Sequence, residues 1–289
     1  MRLSVIIPTL NRAETIGGQF EALSRQEWPD GWEVIVADNG CVDRTAEVVR
    51  AYQDTIPDLR LIDASQRRGV SYALNVAARH AKGDAFLFSD DDDEVGEGWL
   101  SAMGRALMEH PFVACRIEGS KLNPPWLAAT RPTVQRAGLQ QIPYPPYLPH
   151  AGGSTLGVWR SVFEAVGGFD ERMRAVQDTD FCVRVQLSGV PLRFVPEAVV
   201  HVRFRGSVLE MYRQARGYGE SSTFMYKKMR GLGTPPIPHP IQQSLRSWWH
   251  LARSLPRLRG KTGRGGFAFS LGYRVGRLRG SLKHRVMAP

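Results

Sequence analysis

Four consecutive aspartates, Asp90 to Asp93, directly follow the apolar segment Ala85–Phe88, which is predicted to be a buried strand. Adjacent carboxylates repel one another strongly unless a cation lies among them. In a loop such a run is more often a solvated turn, but uncompensated negative charge at the end of a buried strand would be costly. The spaced acidic pattern of an EF-hand is absent. The run therefore predicts a divalent-cation site.

Polar residues also follow three earlier apolar segments that are typical of buried strands. These segments and the residues after them are Leu3–Ile7 with Pro8-Thr9-Leu10-Asn11-Arg12, Glu33–Ala37 with Asp38-Asn39-Gly40, and Leu59–Ile62 with Gln66-Arg67-Arg68-Gly69. Ligands bind at the carboxyl ends of the strands in a parallel α/β sheet. We therefore expect one site made from four loops, in which Asp38 can accept from a ring N–H and Arg68 can bind phosphate.

The elements that must position these loops alternate between strands and helices. Apolar residues with helical spacing run from Val70 to Ala81 and are followed by Gly83, which predicts a helix. Repeated strand–helix units predict a right-handed, Rossmann-like α/β sheet. The patterns of the second half predict helices at Ser161–Val166 and Thr179–Leu187, strands at Leu192–Val195 and Ala198–Val202, and a helix capped by Ser207 that continues to about Met229.

Two proline clusters divide the chain. Residues 119–150 contain seven prolines, at positions 124, 125, 132, 143, 145, 146 and 149, and the segment is therefore predicted to be a long loop that covers a site. A second cluster, at positions 235, 236, 238 and 240, predicts a boundary before the tail. We divide the chain into an α/β half at 1–118, a second half of the same domain at 119–230, and a basic helical tail at 231–289.

Charge is distributed unevenly along the 289 residues. Residues 1–201 contain 20 basic and 26 acidic side chains, whereas residues 202–289 contain 18 basic side chains and only two acidic ones, Glu210 and Glu220. A basic region of this kind suits the phosphates of anionic lipid or of nucleic acid. No apolar run reaches the length of a membrane span, and the N-terminal apolar stretch is too short for a secretory signal. Together with three widely separated cysteines, these features predict a cytoplasmic protein.

The tail contains an amphipathic pattern from Phe267 onward. Apolar residues recur at spacings of three and four up to Val286, with arginines and lysines off this face. Such a helix is typical of membrane-surface binding, and Trp248-Trp249 supports contact of residues 242–289 with an anionic membrane at the inner face. Glycines four residues apart, at positions 272, 276 and 280, equally allow close packing against another helix of the domain.

The motifs, taken in order, resemble those of family 2 glycosyltransferases with the GT-A fold. The resemblance covers roughly residues 3–205, and it implies that the half at 1–118 binds the nucleotide sugar and the half at 119–230 binds the acceptor. The segments that carry it are Ser4–Arg12, Val36–Gly40, Arg68–Asn75, Phe88–Asp93, Val166–Glu171, Gln177–Phe181 and Val200-His201. Each motif is weak alone, but their combination in this order is specific.

The resemblance implies a role for each matching residue. Asp38 matches the position that binds the nucleotide base, Pro8, Thr9 and Asn11 lie beside it, and Arg68 lies where a basic residue approaches the nucleotide. The run from Asp90 matches the DxD motif, in which Asp90 and Asp92 bind Mg²⁺ or Mn²⁺ and Asp91 contacts the nucleotide. Asp178 matches the general base. His201 matches a position that holds a further metal or diphosphate ligand in some members, although a structural role at a strand end is equally expected.

The implied reaction is metal-dependent transfer of a sugar from a nucleotide diphosphate to an acceptor hydroxyl, with inversion at the anomeric carbon. The resemblance favours UDP, whereas a carboxylate at Asp38 would also accept from thymine or guanine. The acceptor is expected to be a lipid-linked or surface-glycan precursor. Three features depart from the family pattern: Gln177 stands where Glu is usual, Cys41 where Ser is common, and four aspartates leave the metal register ambiguous by one residue.

Two other functions are weighed against this one. A sugar-nucleotide nucleotidyltransferase usually carries a glycine-rich basic loop after the first strand, and Thr9-Leu10-Asn11-Arg12 is not such a loop. Neither a GxxxxGK[ST] loop nor a complete dinucleotide fingerprint occurs elsewhere. A noncatalytic protein that binds nucleic acid or membrane through its basic tail is the other alternative, but no RRM, KH or zinc pattern is present. We therefore expect no specific nucleic-acid partner.

Overall fold

The computed structural model describes residues 1–131 and 134–288, so Pro132 of the first proline cluster lies outside the described residues. The strands are β1 (Leu3–Thr9), β2 (Trp32–Asp38), β3 (Leu59–Asp63), β4 (Ala85–Phe88), β5 (Glu94–Val95), β6 (Phe112–Glu118), β7 (Gln140–Gln141), β8 (Pro149–His150), β9 (Leu156–Trp159) and β10 (Arg193–His201). The helices are α1 (Ile16–Leu23), α2 (Thr45–Ala51), α3 (Val70–His80), α4 (Trp99–Glu109), α5 (Pro125–Ala128), α6 (Arg160–Ala165), α7 (Gln177–Leu187), α8 (Val208–Gly231), α9 (Pro240–Arg253) and α10 (Lys261–His284).

Eight of these strands form one mixed, mostly parallel sheet in the order β3-β2-β1-β4-β9-β6-β10-β5. The pairs β1–β2, β2–β3, β1–β4 and β6–β10 are parallel, while β9 runs antiparallel to both of its neighbours. Alternate residues of β1 face opposite sides, so Val5 and Ile7 pack under α1, α2 and α4, and Ile6 packs under α3, α6 and α7. The predicted α/β sheet is confirmed, and it places the ends of β1, β2 and β4 side by side.

The second half of the chain corrects one prediction. The two strands expected at 192–195 and 198–202 form a single strand, β10, because its pairing with β6 continues past an irregularity between Val195 and Val199. Pro196 lies within this irregularity, where its missing N–H interrupts no regular ladder. The predicted cap of α8 is confirmed, since the Ser207 hydroxyl accepts from the N–H of Glu210 in a capping box.

The tail is more structured than the sequence pattern predicts. Helix α10 begins at Lys261 rather than Phe267, and α9 precedes it. The residues that α10 buries are mainly glycines, at positions 265, 272, 276 and 280, and not the predicted apolar face. A Cβ added at Gly272 or Gly276 would overlap the backbone oxygens of α8. The glycines therefore allow α8 and α10 to pack backbone against backbone, which is the second of the two interpretations of this pattern.

We predict that Gly276→Ala destabilises the protein and that Gly266→Ala, in the same helix, does not. The added methyl group at position 276 meets the backbone oxygen of Arg216, whereas nothing lies within 4 Å of a Cβ at position 266. Overpacking costs about 1–3 kcal/mol, while replacing a helical glycine by alanine in open space stabilises by roughly 0.5–1 kcal/mol. Urea unfolding followed by circular dichroism measures both values. Equal stabilities of the two variants would contradict this helix contact.

Candidate active site

A cavity of about 710 Å³ opens at the carboxyl end of β4. One wall carries carboxylates, of which Asp90, Asp92 and Asp93 follow β4 and Asp178 comes from α7. The opposite wall consists of the proline-rich segment, the loop after β10, and helices α8 and α10. The segment 119–150 therefore encloses the site as predicted, with α5, β7 and β8 as short regular elements inside it.

Asp91 differs in environment from the other three aspartates, which addresses the ambiguity of the metal register. Asp91 points toward the loop after β1, where its carboxylate accepts from the N–H of Leu10 and from Nε of Arg12, both at 3.3 Å. Asp90 and Asp92 line the cavity. The register that the DxD pattern predicts is thus the one in which both flanking carboxylates reach the open space.

Arginines from two distant loops neutralise part of this negative charge. Arg12, after β1, lies 3.7 Å from the carboxylate of Asp92, and Arg205, after β10, lies 3.2 Å from it. Arg203 donates its backbone N–H to Asp93 at 3.0 Å and its Nε to the backbone oxygen of Asp92 at 3.2 Å. The cluster therefore joins three segments that are far apart in sequence.

These arginines do not compensate the cluster fully. Burial, followed by the repulsion of neighbouring carboxylates, raises the pKa of Asp90 well above its usual range. Burial and the nearby Asp92 raise the pKa of Asp93 to about 7. Such shifts indicate that additional positive charge would be bound favourably at this end of the sheet.

The side chains available as metal ligands fit Mg²⁺ or Mn²⁺ only if a bound substrate supplies further ligands. In the ranges 1–131 and 134–288, no group of three or more His, Cys, Asp or Glu side chains is arranged to hold a metal ion. Mg²⁺, however, is usually bound by one or two carboxylates together with substrate phosphates and water. Asp90 and Asp92 supply the two carboxylates of that arrangement.

Asp178 lies at the start of α7, as its predicted role requires. The helix begins at Gln177 after Val176, which has a left-handed backbone with φ of 53°. One carboxylate oxygen of Asp178 accepts from the N–H of Gly153 at 3.0 Å, and the other from the N–H of Thr179 at 2.7 Å. These hydrogen bonds fix the orientation of the carboxylate at the helix N-terminus.

Asp180 has a different, structural role two residues later. Its buried carboxylate pairs with Arg184 at 2.8 Å and with Lys228 of α8 at 2.7 Å. Lys228 also pairs with Asp170 at 2.8 Å. This network fixes the first turn of α7, and thus Asp178, against the loop at 166–173 and against α8.

The residues predicted to bind the nucleotide lie together at the ends of β1 and β2. Thr9 and Asp38 are register partners in the parallel pair, and one oxygen of Asp38 accepts from the N–H groups of Gly40 and Cys41. The side-chain oxygen of Asn11 accepts from the N–H of Val42, which ties the two loops together. Pro8 precedes Thr9 in β1.

Arg68 completes this group from the loop before α3. A Cβ added at Gly40 would lie 3.5 Å from its guanidinium group, so the arginine extends over the end of β2. The structure therefore brings Pro8, Thr9, Asn11, Asp38 and Arg68 to one edge of the sheet, beside the carboxylate-lined cavity.

His201 is the one predicted metal ligand that the structure does not bring to the cavity. In the parallel pairing of β6 and β10, His201 is the register partner of Glu118. Its Nδ1 atom lies 2.8 Å from a carboxylate oxygen of Glu118, and Ser120 and His201 help to lower the pKa of Glu118 to about 2 against the effect of burial. The structural alternative stated for His201, a strand-end position, is the one that this geometry supports.

Sequence reasoning missed the basic and aromatic residues of the opposite wall. Arg203 and Arg205 follow directly after the last matching motif, and Arg131 lies 4.1 Å from the ring centroid of Phe269 on α10. His150 lies beside Thr179, which follows Asp178, with Nδ1 3.2 Å from the Thr179 hydroxyl. The sequence signals that could have identified these residues are the proximity of Arg203 and Arg205 to Val200-His201 and the position of Arg131 and His150 in the segment predicted to cover a site.

Comparison with known proteins agrees with this geometry. The family model described as glycosyl transferase family 2 matches residues 4–167, which is more than half of the chain. The chain belongs to this family. The match ends before α7. It includes the residues at the ends of β1 and β2 and the aspartate run, whereas Asp178, α8, α9 and α10 lie beyond it.

Individual family 2 relatives match over shorter stretches. The uncharacterized glycosyltransferase YfnE of Bacillus subtilis is 39% identical over 92 residues, which cover 32% of this chain and 23% of YfnE. The match covers less than two thirds of the length of the first curated relatives, from 23% to 61%.

Solved structures of GT-A glycosyltransferases share the fold over nearly the whole chain. The mannosyltransferase PcManGT from Pyrobaculum calidifontis, in complex with GDP-Man and Mn²⁺, superposes with a TM-score of 0.61 at 20% identity and covers 97% of this chain and 75% of that one. TarS 1-349 of S. aureus in complex with UDP superposes with a TM-score of 0.55 at 17% identity and covers 99% and 92%. The GT-A fold with a helical C-terminal region is thereby confirmed.

Proposed function

We propose that this family 2 protein transfers a sugar from a nucleotide diphosphate, with UDP as the expected nucleotide, to an acceptor hydroxyl with inversion. The observation that carries the proposal is the shared cavity, which is lined both by Asp178, whose carboxylate is held by the N–H of Gly153, and by Asp90 and Asp92 after β4. Single displacement needs a base for the attacking hydroxyl and charge stabilisation of the leaving diphosphate. The lining of this one cavity includes residues suited to both tasks.

Each residue of the cavity has a separate role in the proposed reaction. Asp178 takes the proton of the acceptor hydroxyl while its oxygen forms a bond to the anomeric carbon. The bond from that carbon to the diphosphate oxygen breaks, and its electron pair stays with the leaving diphosphate. A divalent cation bound by Asp90 and Asp92 would neutralise part of that charge. Arg12 and Arg205, which already contact Asp92, are within reach of the same phosphates.

The nucleotide edge supports a role in base recognition. One oxygen of Asp38 is used by the Gly40 and Cys41 N–H groups, and this turn directs the carboxylate outward at the end of β2. The carboxylate retains acceptor capacity for the ring N–H of a base. Two solved structures with this fold are complexes with GDP-Man and with UDP, respectively. A binding measurement with donors of both classes would therefore identify the nucleotide.

We predict that Asp178→Asn lowers turnover by roughly 10²–10⁴-fold, the usual contribution of a general base. Asparagine keeps the shape and an acceptor oxygen for the Gly153 N–H but loses the acceptor for the Thr179 N–H, so donor affinity should change little and the melting temperature should fall slightly. Turnover is measured as nucleotide release, and donor affinity by calorimetry. Turnover within tenfold of the parent enzyme would exclude Asp178 as the base.

We predict that Asp92→Asn abolishes metal-dependent donor binding. In the parent protein, Mn²⁺ together with the correct donor from a panel of UDP-, GDP- and dTDP-sugars should raise the melting temperature, because ligands that bind only the folded state stabilise it. Asp54→Asn, at an exposed position of the same charge, is the control. Full turnover in EDTA, or an unchanged donor shift in Asp92→Asn, would contradict the metal site.

We further propose that the tail contacts an anionic membrane surface at the cytoplasmic face, near a lipid-linked or surface-glycan acceptor. No helix within the described ranges combines the length and apolarity needed to cross a membrane. Helix α9, rather than the predicted face of α10 alone, presents an apolar row to solvent, with Ile241, Leu245 and Trp249 between 60% and 65% exposed. Arg253 lies 5.9 Å from the ring centroid of Trp249, so cationic and apolar groups share this surface.

We predict that the protein sediments with vesicles that contain phosphatidylglycerol and that Leu245→Ser with Trp249→Ser prevents this. The double variant removes the apolar row and retains every charge. Met108→Ser, at a similarly exposed apolar residue on α4, should sediment like the parent. Binding to neutral vesicles of equal strength, or unchanged sedimentation of the double variant, would contradict the proposed surface.

A further inference from the structure

A second cavity, of about 220 Å³, lies between α8, α9 and α10. It adjoins the carboxylate-lined cavity, because Pro143, Tyr144, Ser222 and Tyr273 line both. The two spaces are therefore immediate neighbours, with these side chains between them. The tail helices α9 and α10 form much of its wall, and the family model does not include them.

Arg277 is the only charged side chain of the described residues that lines the second cavity. Its Nη2 atom is buried and has no hydrogen-bond partner, and none of the described carboxylates lies within salt-bridge distance of it. Glu220, the last acidic residue of the sequence, pairs instead with Lys283 at 2.6 Å. A largely buried cation without a counter-charge is unfavourable, and burial lowers the pKa of Arg277 accordingly.

Residues with hydroxyl groups line the same cavity as this guanidinium. Tyr144 and Ser247 are among them, and their hydroxyls form no hydrogen bond to another described residue. The ring of Tyr273 lies against Arg277, with 5.8 Å from the guanidinium carbon to the ring centroid. A planar guanidinium fork with free donors can bind two oxygens of a phosphate or a carboxylate, and hydroxyls in the same cavity can donate further hydrogen bonds.

We propose that the second cavity is an oxyanion-binding subsite, in which Arg277 holds a phosphate or carboxylate group of the acceptor. The subsite rests on the proposed function, since the adjoining cavity is the one in which transfer is proposed. It assigns an anionic acceptor to the enzyme, with the hydroxyl that reacts near Asp178 and the charged group near Arg277. Arg277 is thus a specificity-determining residue that lies away from the reacting atoms.

The test measures the melting temperature with increasing inorganic phosphate, and in parallel with acetate, in EDTA. Arg277→Met removes the charge and keeps most of the apolar stem, and Arg277→Lys keeps the charge without the fork. Arg279→Met, two residues on and exposed, is the matched control. One or both anions should raise the melting temperature of the parent and of Arg279→Met, and this shift should be smaller in Arg277→Lys and absent in Arg277→Met. The more effective anion identifies the class of group.

The same variants test the unpaired state of the guanidinium. Without added anion, Arg277→Met should melt at or above the parent temperature, because it removes an uncompensated buried charge. A lower melting temperature than that of Arg279→Met would show that the arginine is already paired, and would overturn the subsite. Equal anion shifts in Arg277→Met and Arg279→Met, or no shift in the parent, would overturn it as well. Absence of donor binding to the parent in Mn²⁺ would instead contradict the proposed function, and the anion measurements do not depend on it.

Discussion

The concentration of four carboxylates at the end of one buried strand is the constraint on which the site depends. Four adjacent negative charges at this position are tolerated because cationic groups reach them from elsewhere. Arg12 comes from the loop after β1, and Arg203 and Arg205 come from the loop after β10. This compensation joins the two ends of the catalytic domain, and the remaining imbalance, visible in the raised pKa values of Asp90 and Asp93, favours a further cation.

A second ionic network determines how the C-terminal helices are joined to that site. Lys228 of α8 pairs with Asp180 in the first turn of α7 and with Asp170 in the preceding loop. The turn that holds Asp178 is therefore fixed to α8. Because α8 packs closely on α10 through small residues, the tail helices are in turn attached to the turn that holds Asp178. The tail thus forms part of the wall of the active-site cavity.

The two sides of the site differ in origin and in charge. The polar groups at the ends of β1 and β2 lie entirely within the segment that matches family 2. Among the arginines that face them across the site, Arg131 lies within that segment, whereas Arg203, Arg205 and, in the adjoining cavity, Arg277 lie beyond it. The residues that we propose for the donor therefore lie within the family match, and three of the arginines near the proposed acceptor lie outside it.

The sequence by itself determined the elements whose signals are local. Apolar runs and helical spacing identified β1 to β4 and α3, and Ser207 identified the cap of α8. The order of strands along the chain was enough to predict that Asp38 and Asp90 meet at the carboxyl ends of the strands of a parallel sheet. The helix predicted from Thr179 begins two residues earlier, at Gln177, so Asp178 lies in its first turn.

Only the tertiary structure decided the features that depend on register and on contacts between distant segments. The pairing of β6 with β10 directs His201 to Glu118, although its motif position suggested the metal site. The apolar spacing of α10 suggested an amphipathic face, yet its glycines make the contact with α8 because only they permit backbone approach. Arg277 carries no distinguishing sequence signal, since its isolation from any described carboxylate arises only when three helices enclose it. Hydrophobic periodicity indicates which face of an element can be buried. The segment that packs against this face is determined by contacts across the whole chain.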